Sequence, residues 1–578
     1  MGSSESLAEQ PPLSPAQQAG PPRDAQAPAQ MRWWGWGDAK HEPSLGAGAL
    51  QKVAEAVGLG ERPQPPVALE HVRVLPSALS DAAAEELRGL LGEDRVRTDH
   101  VERVLHAAGK GHLDLVRLRA GEPHATPDAV LHPGDEQQLR AILDLCARRS
   151  IAVVPFGGGT SVVGGLAPLR GANEAVVSLD LAALCRISLD RESRIVTAGA
   201  GLRVAELERR LRSEGLTLGH FPQSYEYVSL GGCAATRSAG QASSGYGRFE
   251  EMVMGLKLIA PEGELDAITV PASAAGPDLR QLIVGSEGAL GVISSLSLRL
   301  HRTPPARSYE GFMFEGFAAG VKALRTLAQD GPKPTVARLS EQRETELSLA
   351  LSQSSGLVQR LGRRYVTMRS HGEGCLAILG FEGEEQEVAL ARRRATQLAK
   401  DCGAQRLGRR VGEAWLAQRF AAPYLRDELL THGVMVETLE TATTWAKLEH
   451  LRAGVTTAIE RALAACGTPG LVGCHISHIY EGGASLYFTF LAKRQLGSEE
   501  RQWHAVKQAA CEAIVGRGGT LSHHHGVGID HAPWIERELG VSGVAALRAL
   551  KAELDPAGVM NPGKLLPEEQ PSSPIRAA

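Results

Sequence analysis

Pro155-Phe156-Gly157-Gly158-Gly159-Thr160-Ser161-Val162-Val163-Gly164-Gly165 is the stretch on which the reading of this chain turns. It follows Ile151-Ala-Val-Val154, an apolar run that reads as a buried strand. Before that, Asp135 to Arg149 places Leu139, Ile142, Leu143 and Cys146 on one helical face. Three consecutive glycines let the backbone approach a ligand and aim several N–H groups at one point, and Thr160 and Ser161 add hydroxyls. The pattern suits a nest for a phosphate or pyrophosphate; the alternative is a flexible glycine-rich turn. Two nucleotide loops fail on spacing. No Gly-Lys-Ser/Thr follows, and Val162 stands where Gly-x-Gly-x-x-Gly requires its third glycine.

Two later segments share this texture: Gln223-Ser-Tyr-Glu-Tyr-Val-Ser-Leu-Gly-Gly-Cys-Ala-Ala-Thr-Arg-Ser-Ala-Gly240 and Ile283-Val-Gly-Ser-Glu-Gly-Ala-Leu-Gly-Val-Ile293. In their order and separation the three resemble the vanillyl-alcohol-oxidase (PCMH) type of FAD-binding domain. The resemblance implies non-covalent FAD held by Pro155, Phe156, Gly157, Gly158, Gly159, Thr160 and Ser161, then by Gln223, Ser224, Ser229, Gly231, Gly232, Thr236, Arg237 and Ser238, and finally by Gly285, Ser286, Glu287, Gly288 and Gly291. Gly231 and Gly232 either admit the flavin or start a tightly packed helix. Ser229 and Thr236 are candidate donors to the flavin. Arg237 either neutralises pyrophosphate or forms a surface ion pair. Glu287 either accepts from a buried donor or lies on a surface turn.

The totals set bounds. At 578 residues the chain holds more than one domain. With 43% hydrophobic and 22% charged residues it is ordinary for a globular protein, and a net charge of −4 with 4% aromatics gives no nucleic-acid footprint. Eight scattered cysteines with no Cys-x-x-Cys pair read as reduced thiols. No apolar run reaches the roughly 18–20 residues of a membrane span, and no secretory signal or peroxisomal address is evident, so the expectation is a cytoplasmic protein, soluble or peripheral to a membrane.

The expected architecture is α+β: a two-lobed FAD-binding domain at 127–303 and an α+β cap at 304–520. A mainly helical region at 31–126 precedes them, and an active-site segment and clamp at 521–567 follows. Residues 1–30, rich in Pro, Ala, Gln and Ser, and 568–578 are expected to be disordered. Helix is expected from Asp81 to about Ala108, and Ser498 as an N-cap. Arg32-Trp-Trp-Gly-Trp-Gly-Asp38 carries too much apolar area for water; it packs on the body or touches a membrane.

Four places in the second half carry candidate chemistry. His523-His524-His525-Gly-Val-Gly528 is either a polar run before a turn or a loop pressed close to a ligand. Side chains alternate along a strand, so one metal would rarely take all three, and no metal is expected. Tyr487, in a strand, is either packing or an acid/base whose phenol is lowered by its surroundings. Arg426 and Arg338 are either ion-paired or anion-binding.

Together these stretches, with Tyr480-Glu-Gly-Gly-Ala-Ser-Leu-Tyr487-Phe and Glu440-Thr-Ala-Thr-Thr-Trp445, resemble the alkyldihydroxyacetonephosphate synthases over about Arg32 to Leu566. The resemblance implies an exchange of the acyl chain of acyl-dihydroxyacetone phosphate for a long-chain alcohol, redox-neutral overall, with the flavin as an electrophilic handle. Tyr487 would move the proton beside the ester, Arg426 hold the phosphate, His523 to His525 assist proton traffic and Arg338 support the site. Peripheral membrane contact and a homodimer are compatible with it. One departure stands out: the synthases continue His-His-His-Gly-Val-Gly with Lys, where this chain has Ile529-Asp530. The D-2-hydroxyacid dehydrogenase branch is the first alternative, but Tyr487 and His524 stand where that branch has metal-binding His and Glu. A flavin scaffold without catalysis is the second.

Overall fold

A computed structural model describes residues 31–38, 45–351 and 374–567. The two tails expected to be disordered, 1–30 and 568–578, lie outside the described residues. Three main sheets carry the architecture, which is α+β as expected.

The first has the strand order Val96–Arg97, Ala129–Leu131, Ala175–Asp180, Ile151–Phe156, with the last three parallel. Helix Glu136–Arg148 begins at Asp135, whose carboxylate accepts from the Gln138 N–H, and buries Leu139, Ile142, Leu143 and Cys146 against this sheet. The second sheet, five antiparallel strands ordered Ile187–Asp190, Ile195–Gly199, Val292–Arg299, Val253–Ala260 and Gly263–Ala267, forms the other lobe.

The cap is a seven-stranded sheet ordered Gln405–Gly408, Ala306–Phe314, Cys375–Gly383, Val336–Ser340, Leu471–Ile479, Gly483–Lys493, Val434–Thr444. Its two faces are sorted by the period of two. Ala337, Leu339, Cys474, Ile476, Leu486, Phe488 and Phe490 point to a core shared with helices Phe317–Gln329, Glu385–Asp401, Leu448–Ala465 and Glu499–Gly516. The alternate residues Arg338, Gly473, His475, Tyr487 and Thr489 line a cavity.

Several expectations shift. The helix read over Asp81 to about Ala108 is two helices, Asp81–Leu91 and His100–Leu105, with the short strand Val96–Arg97 between them. Ser498 precedes helix Glu499–Gly516 but makes no capping hydrogen bond. The tryptophan cluster is a turn packed on the body: Trp36 is buried edge-on to Tyr227, 5.6 Å between centroids, and its backbone N–H donates to the Asp427 carboxylate. The tail returns to the first lobe. Val153 donates to Val559 and Asn561 to Val153, adding Met560 beside the strand that leads into the glycine loop. Among the described residues no helix is long and apolar enough to cross a membrane. All eight cysteines are free thiols.

Candidate active site

The three glycine-rich segments meet at one cavity of about 1020 Å³, larger than a drug-sized ligand needs. It is lined by Pro155, Gly157 to Ser161, Gln223, Ser224, Ser229, Gly231, Gly232, Thr236, Ser238, Glu287, Gly288 and Gly291. A Cβ on Gly157 would overlap Ser229 Oγ, and one on Gly158 the Tyr227 carbonyl. These two positions need glycine because the first two segments lie backbone to backbone.

Other expected residues do different work. Phe156 turns under the loop against His106, 4.4 Å between rings. Arg237 does not reach the cavity: its guanidinium donates to the Val284 and Gln281 carbonyls and to the Gln281 side chain. It fixes the turn at Gly285 and is not placed to neutralise a pyrophosphate. Gly285 and the buried Ser286 lie behind the lining. Thr236 Oγ1 donates to the Gly232 carbonyl, and Ser229 Oγ caps helix Leu230–Ala235 by accepting from Gly232, so both hydroxyls already serve the helix.

Opposite the glycine loops, the histidine segment hangs between two buried carboxylates. Glu440 accepts from the N–H groups of His523 (2.6 Å), His524 (2.9 Å) and His525 (2.8 Å) and from Ser522 Oγ (2.8 Å). Burial opposes its charge, yet the donors it accepts from, the backbone N–H groups of the three histidines and the Ser522 hydroxyl, hold it well below the usual carboxylate range. Glu287 accepts from Val527 (2.6 Å) and Gly528 (2.8 Å), while Asn561 Nδ2 donates to the Glu287 carbonyl at 2.6 Å. Burial pushes the Glu287 carboxyl up to about 7 against those donors. The segment therefore adopts a bend rather than a strand, and all three histidines gather at one place.

His524 and His525 line the cavity. His523 sits behind them, its Nδ1 2.9 Å from His524 Nδ1 and its Nε2 2.6 Å from the Tyr480 hydroxyl. One nitrogen each of His478, His523 and His524 falls within 4.8 Å of the others, the spacing of a metal trio. Each of these rings also has hydrogen-bond partners within the protein, His478 Nε2 donating to the Gly240 carbonyl at 2.9 Å.

Tyr487 stands in the cavity wall between two imidazoles, stacked on His475 (4.9 Å, 25°) and on His524 (6.2 Å, 22°), with His525 edge-on. Its phenol is not lowered as expected. Burial pushes it up to about 12, and the nearby Glu440 and Glu437 carboxylates add to this, although a Thr438 side-chain hydrogen bond opposes them. Burial brings His524 down to about 4, against the pull of Glu440. The wall thus holds a firmly protonated phenol beside a firmly neutral imidazole.

Arg338 donates to His475 Nε2 (3.0 Å) and to Glu344 (2.6 Å), and His475 Nδ1 lies 2.7 Å from Glu344. It reaches Tyr487 through His475. Arg426, on helix Ala422–Thr431, lines the cavity, donates to the Lys110 carbonyl at 2.7 Å and shares Asp427 at 3.3–3.4 Å.

Sequence reasoning gave no role to Glu440, Glu344, His475, Lys110 or His112. Glu440 opens a motif it quoted, and His475 lies just before another, Tyr480 to Phe488. The register that pairs Tyr487 with both Glu440 and His475 is visible only once the strands are paired.

The FAD binding domain model matches residues 127–268, and the model of the C-terminal domain of FAD linked oxidases matches 303–565. The chain is 31% identical to an alkyldihydroxyacetonephosphate synthase of Dictyostelium discoideum, over 93% of this chain and 94% of that protein. It is 31% identical to an Escherichia coli O157:H7 protein described as an uncharacterized FAD-linked oxidoreductase, YgcU, over 85% of this chain and all of the other. A solved alkyldihydroxyacetonephosphate synthase superposes with a TM-score of 0.78 at 27% identity, covering 93% and 97% of the two chains.

Proposed function

The chain belongs to the FAD-linked family of the alkyldihydroxyacetonephosphate synthases, and we propose that it exchanges the acyl chain of acyl-dihydroxyacetone phosphate for a long-chain alcohol. FAD is its cofactor, and the residues of the three glycine-rich segments that line the cavity are those that would hold it, non-covalently. When bound it supplies an electrophilic centre for a reaction with no net electron transfer.

The observation that carries the reading is the Tyr487–His524 pair. A neutral His524 accepts the proton that leaves the substrate carbon beside the ester. A protonated Tyr487 gives its proton to the departing carboxylate and takes one back from the entering alcohol, and His524 returns its proton to the carbon, so the exchange is proton-neutral. His525 lies edge-on beside the phenol, and His523 orients His524 through the hydrogen bond between their Nδ1 atoms. The Arg338–Glu344–His475 chain fixes the ring under Tyr487, and Arg426 holds the anionic head.

An oxidase or dehydrogenase of an alcohol or D-2-hydroxy acid is the second reading, favoured by the oxidoreductase relative. The two differ in the flavin spectrum. Without oxygen, acyl-dihydroxyacetone phosphate should release its fatty acid while the flavin stays oxidised at the end of turnover. Lasting bleaching by D-lactate or D-2-hydroxyglutarate would instead establish the dehydrogenase reading.

A further inference from the structure

Gly109-Lys110-Gly111-His112 is a segment locked onto the glycine loop, and its last three residues line the cavity. The Lys110 N–H donates to the Ser161 carbonyl at 2.6 Å, and a Cβ on Gly109 would overlap that same carbonyl. A Cβ on Gly111 would lie 3.0 Å from the Val162 carbonyl. Lys110 and His112 both line the cavity and are 5% and 2% exposed.

Neither side chain is fully used by the protein. Lys110 Nζ donates to the Arg32 (2.6 Å) and Trp33 (3.3 Å) carbonyls, which leaves a third N–H. Neither ring nitrogen of His112 makes a hydrogen bond; the Val436 backbone approaches without satisfying the geometry. A buried imidazole without partners is costly, so its retention beside a cavity points to a ligand.

The charges that act on the His112 ring are cationic. Arg426 and Arg494 act on His112 as cations, and Lys110 stands two residues away. Of the acids nearby, Asp427 is shared with Arg426 and the Trp36 backbone N–H, Glu499 faces Arg494 at 3.8 Å, and burial raises Glu437 and brings Asp114 up to about 6. Asp427 and Glu499 are taken up by Arg426, Arg494 and the Trp36 backbone, which leaves the third Lys110 N–H and the His112 ring to a ligand that can accept from both, as a phosphate can.

We infer that Lys110 and His112 complete, with Arg426, a subsite for a phosphate group, and that the phosphate of the substrate is held there. The anion follows from the geometry; the identity of its carrier rests on the synthase reading. Phosphate oxygens accept from the free N–H of Lys110, from the neutral His112 ring and from the Arg426 fork.

The test uses flavin-loaded full-length protein and follows the flavin absorbance as inorganic phosphate, dihydroxyacetone phosphate or dihydroxyacetone is added. Lys110→Met and His112→Leu should each weaken both phosphate probes at least tenfold, with dihydroxyacetone binding and flavin content unchanged. In exchange assays KM for acyl-dihydroxyacetone phosphate should rise at least tenfold while kcat stays within about threefold. If His112→Leu fails to fold, His112→Asn replaces it. Unchanged phosphate affinity in folded, flavin-loaded variants would overturn the inference, as would a fall in flavin content with the phosphate affinity of the remaining flavin-loaded fraction intact, which would assign Lys110 to the cofactor. Phosphate binding that falls in the variants of a chain with no exchange activity would uphold the subsite and sink the synthase reading. Exchange with an unaltered KM in both variants would do the reverse.

Discussion

Replacing Glu440 by alanine orphans the N–H groups of His523, His524 and His525. A buried donor left unmade costs about 1–3 kcal/mol, so Glu440→Ala should lower the unfolding free energy by about 3 kcal/mol or more and abolish exchange. Denaturant unfolding beside an activity assay checks both; a variant of unchanged stability would mean the segment does not depend on this carboxylate. Gly158→Ala acts on the other wall, since its Cβ overlaps the Tyr227 carbonyl. The purified variant should carry little or no flavin, read from the visible absorbance after desalting. The acid/base pair sets a pH profile. His524, down at about 4, must be neutral to accept a proton, and Tyr487, at about 12, must keep its proton to donate. The rate should be flat from about pH 6 to 9 and fall on the acid side as pH drops towards 4. A limb centred near 6.5 would mean an unperturbed histidine controls the reaction.

At the scale of elements, the segment 522–531 is what joins the two halves of the protein. It is anchored on the cap through Glu440 and on the FAD domain through Glu287, and it lies on the glycine loop, where Ile529 donates to the Val163 carbonyl at 3.0 Å. A Cβ on Gly528 would overlap that carbonyl. Gly528→Ala should therefore reduce kcat by at least tenfold while flavin remains bound; wild-type turnover would show that the segment tolerates displacement. This element also marks what the sequence made legible. The glycine segments, the order of strands and helices and Tyr487, His524 and Arg426 could be read because each depends on local pattern or motif. The bend at 522–525 could not, because it is made by a carboxylate more than eighty residues earlier in the chain. Arg237 was misread for a related reason: a cation in a glycine-rich motif looks like a phosphate ligand until the Val284 and Gln281 carbonyls are found in its reach. Of the two readings of Tyr487, packing or a phenol lowered by its surroundings, the second fails on its sign, because burial pushes the phenol up.

Across the whole molecule, burial without charge sets the response to acid. His112, His220, His478 and His531 are brought down to about 3 and His524 to about 4, all mainly by burial. Unfolded, each would titrate near 6.5, so below that pH the unfolded chain binds more protons than the folded one. Each group then destabilises the fold by about 1.4 kcal/mol per pH unit as pH falls below 6.5. The melting temperature should drop steeply between pH 6.5 and 5; a flat profile would mean these rings are charged in the folded protein. The same dry interior gives the Tyr487–His524 pair its opposed proton affinities, and the function rests on that pair. The measurement that tests it most directly is incorporation of a labelled long-chain alcohol into acyl-dihydroxyacetone phosphate, with no electron acceptor, by flavin-loaded wild type, Tyr487→Phe and His524→Ala. The account predicts label in the wild-type product and a loss of at least a hundredfold in both variants. No label from flavin-loaded wild type, or undiminished label from both variants, would contradict it.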